Sequence, residues 1–130
     1  MFLSVDSGKA RREIATYLIG KNIPFIDVGL GIEGVKSGGG ETSLHGSCRV
    51  TLITAEKHDH LNHHLVFVDD DPELALYKSN IQVADMNAMN AMMAVSRWKQ
   101  YKAFYHDDMD QAHNLIYTIS FQSISRSETL

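Results

Sequence analysis

The chain of 130 residues contains one cysteine, Cys48, so an intrachain disulfide framework and a multi-cysteine zinc site are both excluded. An excess of basic charge is also missing. Twelve Lys and Arg against sixteen Asp and Glu leave a net charge of −4 with histidine neutral, which argues against a nucleic-acid binder. No apolar run approaches the ~20 residues that cross a bilayer, so no membrane partner is expected. Met1 to Val5, followed by Asp6, has neither a basic flank nor a long apolar stretch, and no secretory leader is expected. What is present is ordinary for a globular domain, 44% hydrophobic and 22% charged. The expectation is one acidic domain in the reducing cytoplasm.

The chain opens as strand, helix, strand. Phe2-Leu3-Ser4-Val5 is a short apolar run, and Asp6 or Ser7 can cap the helix that follows. Ala10, Ile14, Tyr17 and Leu18 fall at helical spacing, with Arg11, Arg12 and Glu13 largely outside that stripe. Gly20 ends the helix and Phe25-Ile26-Asp27-Val28 forms the next strand. Two strands joined by one helix predict a right-handed βαβ unit with a parallel pair. Gly29 to Gly40 reads as a loop. Leu44, Gly46, Cys48, Val50 and Leu52 then alternate with polar residues as an antiparallel return strand.

Beyond it lies a polar stretch with His58, His60, His63 and His64, a possible strand over 65–68, and a helix start at Asp71-Pro72. Ser79-Asn80-Ile81-Gln82 has the capping-box pattern and is expected to open the longest helix, running to about Phe104. Its predicted face is Ile81, Ala84, Ala88, Ala91, Val95 and Trp98, widened by Met86, Met89, Met92 and Met93. Leu115, Tyr117, Ile119 and Phe121 alternate as a last strand. The expected fold class is α/β, a Rossmann-like mixed sheet with a long helix packed on it. It forms a partial domain over residues 1–122, with a frayed serine-rich tail over 123–130.

Asp6 sits just past the carboxyl end of a predicted parallel strand, where open α/β sheets bind ligands. A carboxylate there can hold magnesium beside nucleotide phosphates, and it can also be a plain helix cap. Val5-Asp6-Ser7-Gly8-Lys9-Ala10-Arg11, Ile23-Pro24-Phe25-Ile26-Asp27-Val28-Gly29, and the stretch from Asn80 through Ala91 to Val95, Trp98 and Lys99 resemble the second half of the ThiF/MoeB/HesA fold. That is the adenylating domain shared with ubiquitin-activating enzymes, and the resemblance spans about residues 2–121. It implies an ATP-dependent adenylyltransferase in which the C-terminus of a ubiquitin-like or sulfur-carrier protein attacks the α-phosphate of ATP. The products are an acyl adenylate and pyrophosphate. Asp6 matches the family's magnesium-binding aspartate, Ser7 stands where asparagine is common, and Arg11 matches an arginine of the same helix. The resemblance thus implies nucleotide contacts at Asp6, Ser7 and Arg11, magnesium at Asp6, and a homodimer.

The family's glycine-rich nucleotide loop lies well before this aspartate, and no G-x-G-x-x-G opens a helix in this sequence. Gly29-Leu30-Gly31-Ile32-Glu33-Gly34 has the letters but no helical pattern after it, and reads as the turn between the parallel strand and its antiparallel return. The chain is therefore expected to be the C-terminal portion of a longer adenylating protein, inactive alone. A non-catalytic subunit that docks a complete partner is the alternative. Cys48 shares its face with Val50 and Leu52, opposite to His45, and reads as a core thiol. If the histidine stretch is helical, His60 and His64 share a side and can bind zinc or nickel. Otherwise it is a solvated loop. Asn87 and Asn90 are expected to bond to neighbouring loops.

Overall fold

A computed structural model of the protein describes residues 1–65, 81–108 and 112–127. The elements are β1 (Phe2–Leu3), α1 (Gly8–Gly20), β2 (Phe25–Lys36), β3 (Thr42–Ile53), α2 (Leu61–His64), α3 (Ala84–Tyr101), β4 (Asn114–Thr118) and β5 (Ser123–Ser127). They form a mixed α/β fold around one five-stranded sheet in the order β1-β2-β3-β4-β5. β1 runs parallel to β2, with Leu3 opposite Asp27, and every later pairing is antiparallel. The expected βαβ unit and antiparallel return are both present. Among the described residues, no helix is long and apolar enough to cross a membrane.

Strand alternation divides the core into two layers. On one face Leu3, Phe25 and Ile53 meet Ala15 and Leu18 of α1, with Leu65 beside them. On the other, Ile26, Val50 and Leu52 meet Met93 and Ala94 of α3. β2 and β3 are much longer than these layers. Their paired outer ends, Val35 and Leu44 among them, project into solvent. The hairpin closes at Ser37–Glu41, where the Gly40 amide donates to the Ser37 carbonyl at 3.0 Å. Gly40 has a φ of 83°, a left-handed conformation that favours glycine.

Several expectations are corrected. Gly29 to Gly34 is not a turn; it lies inside β2, paired residue by residue with β3. α3 begins at Ala84, not at the Ser79–Gln82 box, and Gln82 instead accepts from Asn87 Nδ2 at 3.0 Å. The helix ends at Tyr101, where Lys102 and the left-handed Ala103 turn the chain away. Its buried side carries Met86, Asn90, Met93, Ala94 and Arg97, whereas Ala88, Ala91, Met92 and Val95 are exposed. The predicted alanine face is therefore the outer one. The frayed tail is corrected as well: the chain reverses at Ile119–Gln122 and residues 123–127 pair with β4 as an edge strand. Leu3 is 2% exposed and packs with Ala15 and Leu18 of α1. The expected strand over 65–68, the Asp71-Pro72 helix start and the Ser79-Asn80 half of the capping box lie outside the described residues.

A pair of histidines supports the start of β4. His60 Nε2 lies 2.9 Å from the Leu52 carbonyl, so that nitrogen carries the proton, and its ring centroid lies 5.2 Å from that of His113, the two rings tilted by 41°. Burial holds both imidazoles below their usual pKa, and the His60–His113 proximity adds to it at His113. Below about pH 6.5 the unfolded chain takes up protons that the folded chain refuses. The pair's effect on stability should therefore be flat above that value, with stability lost as pH drops beneath it. Urea melts at pH 7.5 and 5.5 check this. A His113→Asn variant should lose less on acidification than the parent, and equal losses in the two proteins would contradict the assignment.

Candidate functional site

The candidate site lies where β1 ends and α1 begins. Ser7 is the N-cap of α1, and its hydroxyl accepts from the Ala10 amide at 3.2 Å. Asp6 immediately precedes it and is exposed. The cap and the exposed carboxylate thus fall on neighbouring residues, with capping assigned to Ser7. Arg11 does not project to the surface from the polar side of α1, as the helical spacing predicts. It is buried: Nε donates to Asp27 Oδ1 at 3.0 Å and an Nη group to the Val5 carbonyl at 2.6 Å. The structure thus brings Asp6, Ser7 and Arg11 to one strand end and turns the Arg11 guanidinium inward.

Arg11 is one arm of a network across the α1 face of the sheet. Asp27 is fully buried in β2, and its second oxygen accepts from Arg49 Nη2 at 2.5 Å. Arg49 Nη1 donates to Thr51 Oγ1 at 2.5 Å, and Thr51 donates to Asn114 Oδ1 at 2.7 Å. Burial pulls the Arg49 pKa down, while the Asp27 carboxylate opposes that shift. Gly29, opposite Arg49 in the register, leaves room for the guanidinium: a Cβ there comes 2.8 Å from Arg49 Nη2. Among the described residues, the Arg11 and Arg49 guanidiniums share the one Asp27 carboxylate in this layer. Asp27, Arg49, Thr51 and Asn114 are not among the residues predicted for the site. Their readable signal was Asp27, a carboxylate inside the apolar run Phe25-Ile26-Asp27-Val28, which burial obliges to find a partner.

No protein-family model and no curated protein matches the chain.

The remaining candidates are structural in their contacts. Asn90 Nδ2 donates to the Gly29 carbonyl at 3.2 Å, tying α3 to β2. His60 is buried, His58 is exposed, and the side chains of His63 and His64 lie outside the described ones. Among the described residues, no group of three or more His, Cys, Asp or Glu could hold a metal ion. Cys48 is fully buried in β3 with its thiol 3.4 Å from the Met86 carbonyl. Burial, and then the Asp85 charge, raise its pKa, the opposite of what a nucleophile needs. Native protein should react with a thiol reagent far more slowly than urea-unfolded protein. Equal rates would show that the thiol is accessible in the fold.

Proposed function

We propose that the chain supplies the magnesium side of a ThiF/MoeB/HesA-type adenylating site, an ATP-dependent enzyme that activates the C-terminal carboxylate of a ubiquitin-like or sulfur-carrier protein. The observation that carries this reading is the exposed Asp6 at the carboxyl end of β1, in a parallel β1-α1-β2 unit, beside a helix start. Ligands of open α/β sheets collect at such strand ends. Magnesium is commonly held by one or two carboxylates together with phosphate oxygens and water, so Asp6 fits as a single protein ligand that needs the nucleotide to complete the shell. Ser7 orients the start of α1, and Arg11 ties that helix to β1 and β2 through Val5 and Asp27. The reading places the protein in the cytoplasm, where ATP is abundant and Cys48 stays reduced.

A second reading, a non-catalytic subunit docking a complete partner, is favoured by one observation. Gly29-x-Gly-x-x-Gly34 is a paired strand, so it cannot wrap phosphates with free backbone amides. Both readings predict no ATP–pyrophosphate exchange by residues 1–130 alone. They part on nucleotide binding. In an NMR titration with magnesium and ATP, the adenylating reading expects weak, saturable shifts in the amides of residues 6–10 that vanish in Asp6→Ala. Absence of those shifts in folded protein would refute it. Exchange well above background from the chain alone would refute the need for a complementary half.

A further inference from the structure

We propose that the outer face of α3 is the seam of an antiparallel homodimer, an interface that does not depend on the nucleotide reading. Met86, Asn90, Met93, Ala94 and Arg97 turn one side of α3 to the sheet. Roughly opposite them run Ala84, Ala88, Ala91 and Val95, at intervals of four, three and four residues. That is the spacing of a helix–helix seam. The surface is apolar and open: Met92 is 61% exposed and Val95 44%. Beside them lies a groove of about 440 Å³ lined by Ala91, Met92, Val95, Ser96, Lys99 and Tyr105.

The charges identify the occupant. Residues 86–96 carry no charged side chain at all, which is unusual for a helix face turned to water. Apart from Arg97, which is turned to the buried side and pairs with Asp107, charge returns at the two ends, as Asp85 in the first turn and as Lys99 and Lys102 near the last. The lysines are held in place there. Lys99 Nζ lies 5.2 and 5.1 Å from the Phe104 and Tyr105 rings, and Lys102 Nζ lies 5.0 and 5.3 Å from those of Trp98 and Tyr101.

A second copy laid antiparallel satisfies this pattern completely. With Ala88 opposite the partner copy's valine equivalent to Val95, the two-fold axis falls between Ala91 and Met92. Asp85 then sits within a helical turn of the other copy's two lysines at both ends of the seam. A parallel arrangement sets lysine against lysine and aspartate against aspartate. Antiparallel pairing also opposes the helix dipoles. The alanines permit an interaxial distance at the short end of the usual 8–10 Å, and each exposed methionine meets the other copy's groove. An 18-residue helix is about 27 Å long. One such seam covers less than the ~1,600 Å² of a standard interface, so the dimer should dissociate on dilution.

Sedimentation velocity over a dilution series tests this. The parent should be dimeric at high concentration and monomeric when dilute. Met92→Glu should be monomeric throughout with an unchanged thermal melt. Asp85→Lys and the pair Lys99→Glu/Lys102→Glu should each weaken association at least tenfold, and the triple variant that swaps all three charges should restore it. An Ala91→Cys variant should form an intermolecular disulfide on mild oxidation, whereas Gly39→Cys at the hairpin turn should not. A parent that stays monomeric at high concentration overturns the proposal. So does a dimer that survives Met92→Glu, including one lost instead in Phe2→Lys, which would place the contact at the β1 edge.

Discussion

Asp27→Ala is expected to remove about 3–5 kcal/mol of stability, the usual consequence of deleting one partner from a buried ionic group. Whole domains are held by only about 5–15 kcal/mol, so the variant should melt far below the parent or not fold at all. The reason is the loss of a shared carboxylate in a largely buried layer. In the parent one carboxylate stands between Arg11 and Arg49, at 3.0 and 2.5 Å. Removing it leaves the buried Arg11 guanidinium and the partly buried Arg49 guanidinium facing one another without the carboxylate they share. Arg49→Met acts differently, because it leaves the Arg11–Asp27 pair and the Asn114–Thr51 contact in place. It should cost distinctly less than Asp27→Ala in matched urea melts. Replacing all three by apolar residues of similar volume should recover much of the loss, since buried ionic groups often contribute little net stability. If Asp27→Ala proved as mild as a surface substitution, the layer would have to be hydrated rather than dry.

The parts of the fold that sequence pattern reaches are those where burial has one side. α1 and β3 were legible because their apolar residues repeat at the period of the element, and β1 because it lies in a short apolar run before a capping signal. The antiparallel return followed from the alternation between Leu44 and Leu52. β2 beyond Val28 was not legible, because its outer half pairs with β3, is largely exposed and carries glycine where apolar residues mark a strand. β5 was missed for a related reason. It is an edge strand whose Ser123-Ile124-Ser125-Arg126-Ser127 sequence has one apolar side chain, and that one is 51% exposed. Serine and arginine suit a solvated edge, but they also have the composition of a tail.

α3 shows the opposite error. Its periodicity was readable while its orientation was not, since the helix carries two apolar stripes. Methionine and alanine at 86, 93 and 94 pack on the sheet, and Asn90 and Arg97 are carried into the same layer by tertiary partners. Hydrophobicity alone ranks the alanine stripe above a face holding Asn90 and Arg97. The candidate site divides in the same way. Asp6 and Ser7 follow from a strand end and a capping signal in adjacent residues. The inward turn of Arg11 required Asp27 and Arg49, which are 16 and 38 residues further along the chain and meet only through strand register.

Gly46→Ala should be the most damaging single methyl group that can be added to the hairpin. A Cβ at Gly46 comes 1.9 Å from the Gly31 carbonyl oxygen, 2.9 Å from its carbon and 3.0 Å from the Ile32 Cα. All three are backbone atoms of the paired strand, so no rotamer change relieves the contact; β2 and β3 must separate. The damage does not stop there, because the Gly46 carbonyl also accepts from the Ile119 amide at 3.0 Å, where the chain leaves β4. Overpacking of this kind costs about 1–3 kcal/mol even where side chains can yield, and here the upper end or beyond is expected. Gly31→Ala is the matched control, diagonally across the hairpin and paired with Ser47, with nothing within 4 Å of its Cβ. It should be neutral or add up to about 1 kcal/mol by restricting the unfolded chain. Thermal melts of the two variants should therefore move apart from the parent, Gly46→Ala well down and Gly31→Ala level or slightly up. Native-state hydrogen exchange should show the loss as faster exchange of the β2 and β3 amides around residues 31–32 and 46–47. Equal melts for the two variants would mean that the strands are not as close at Gly46 as their pairing requires.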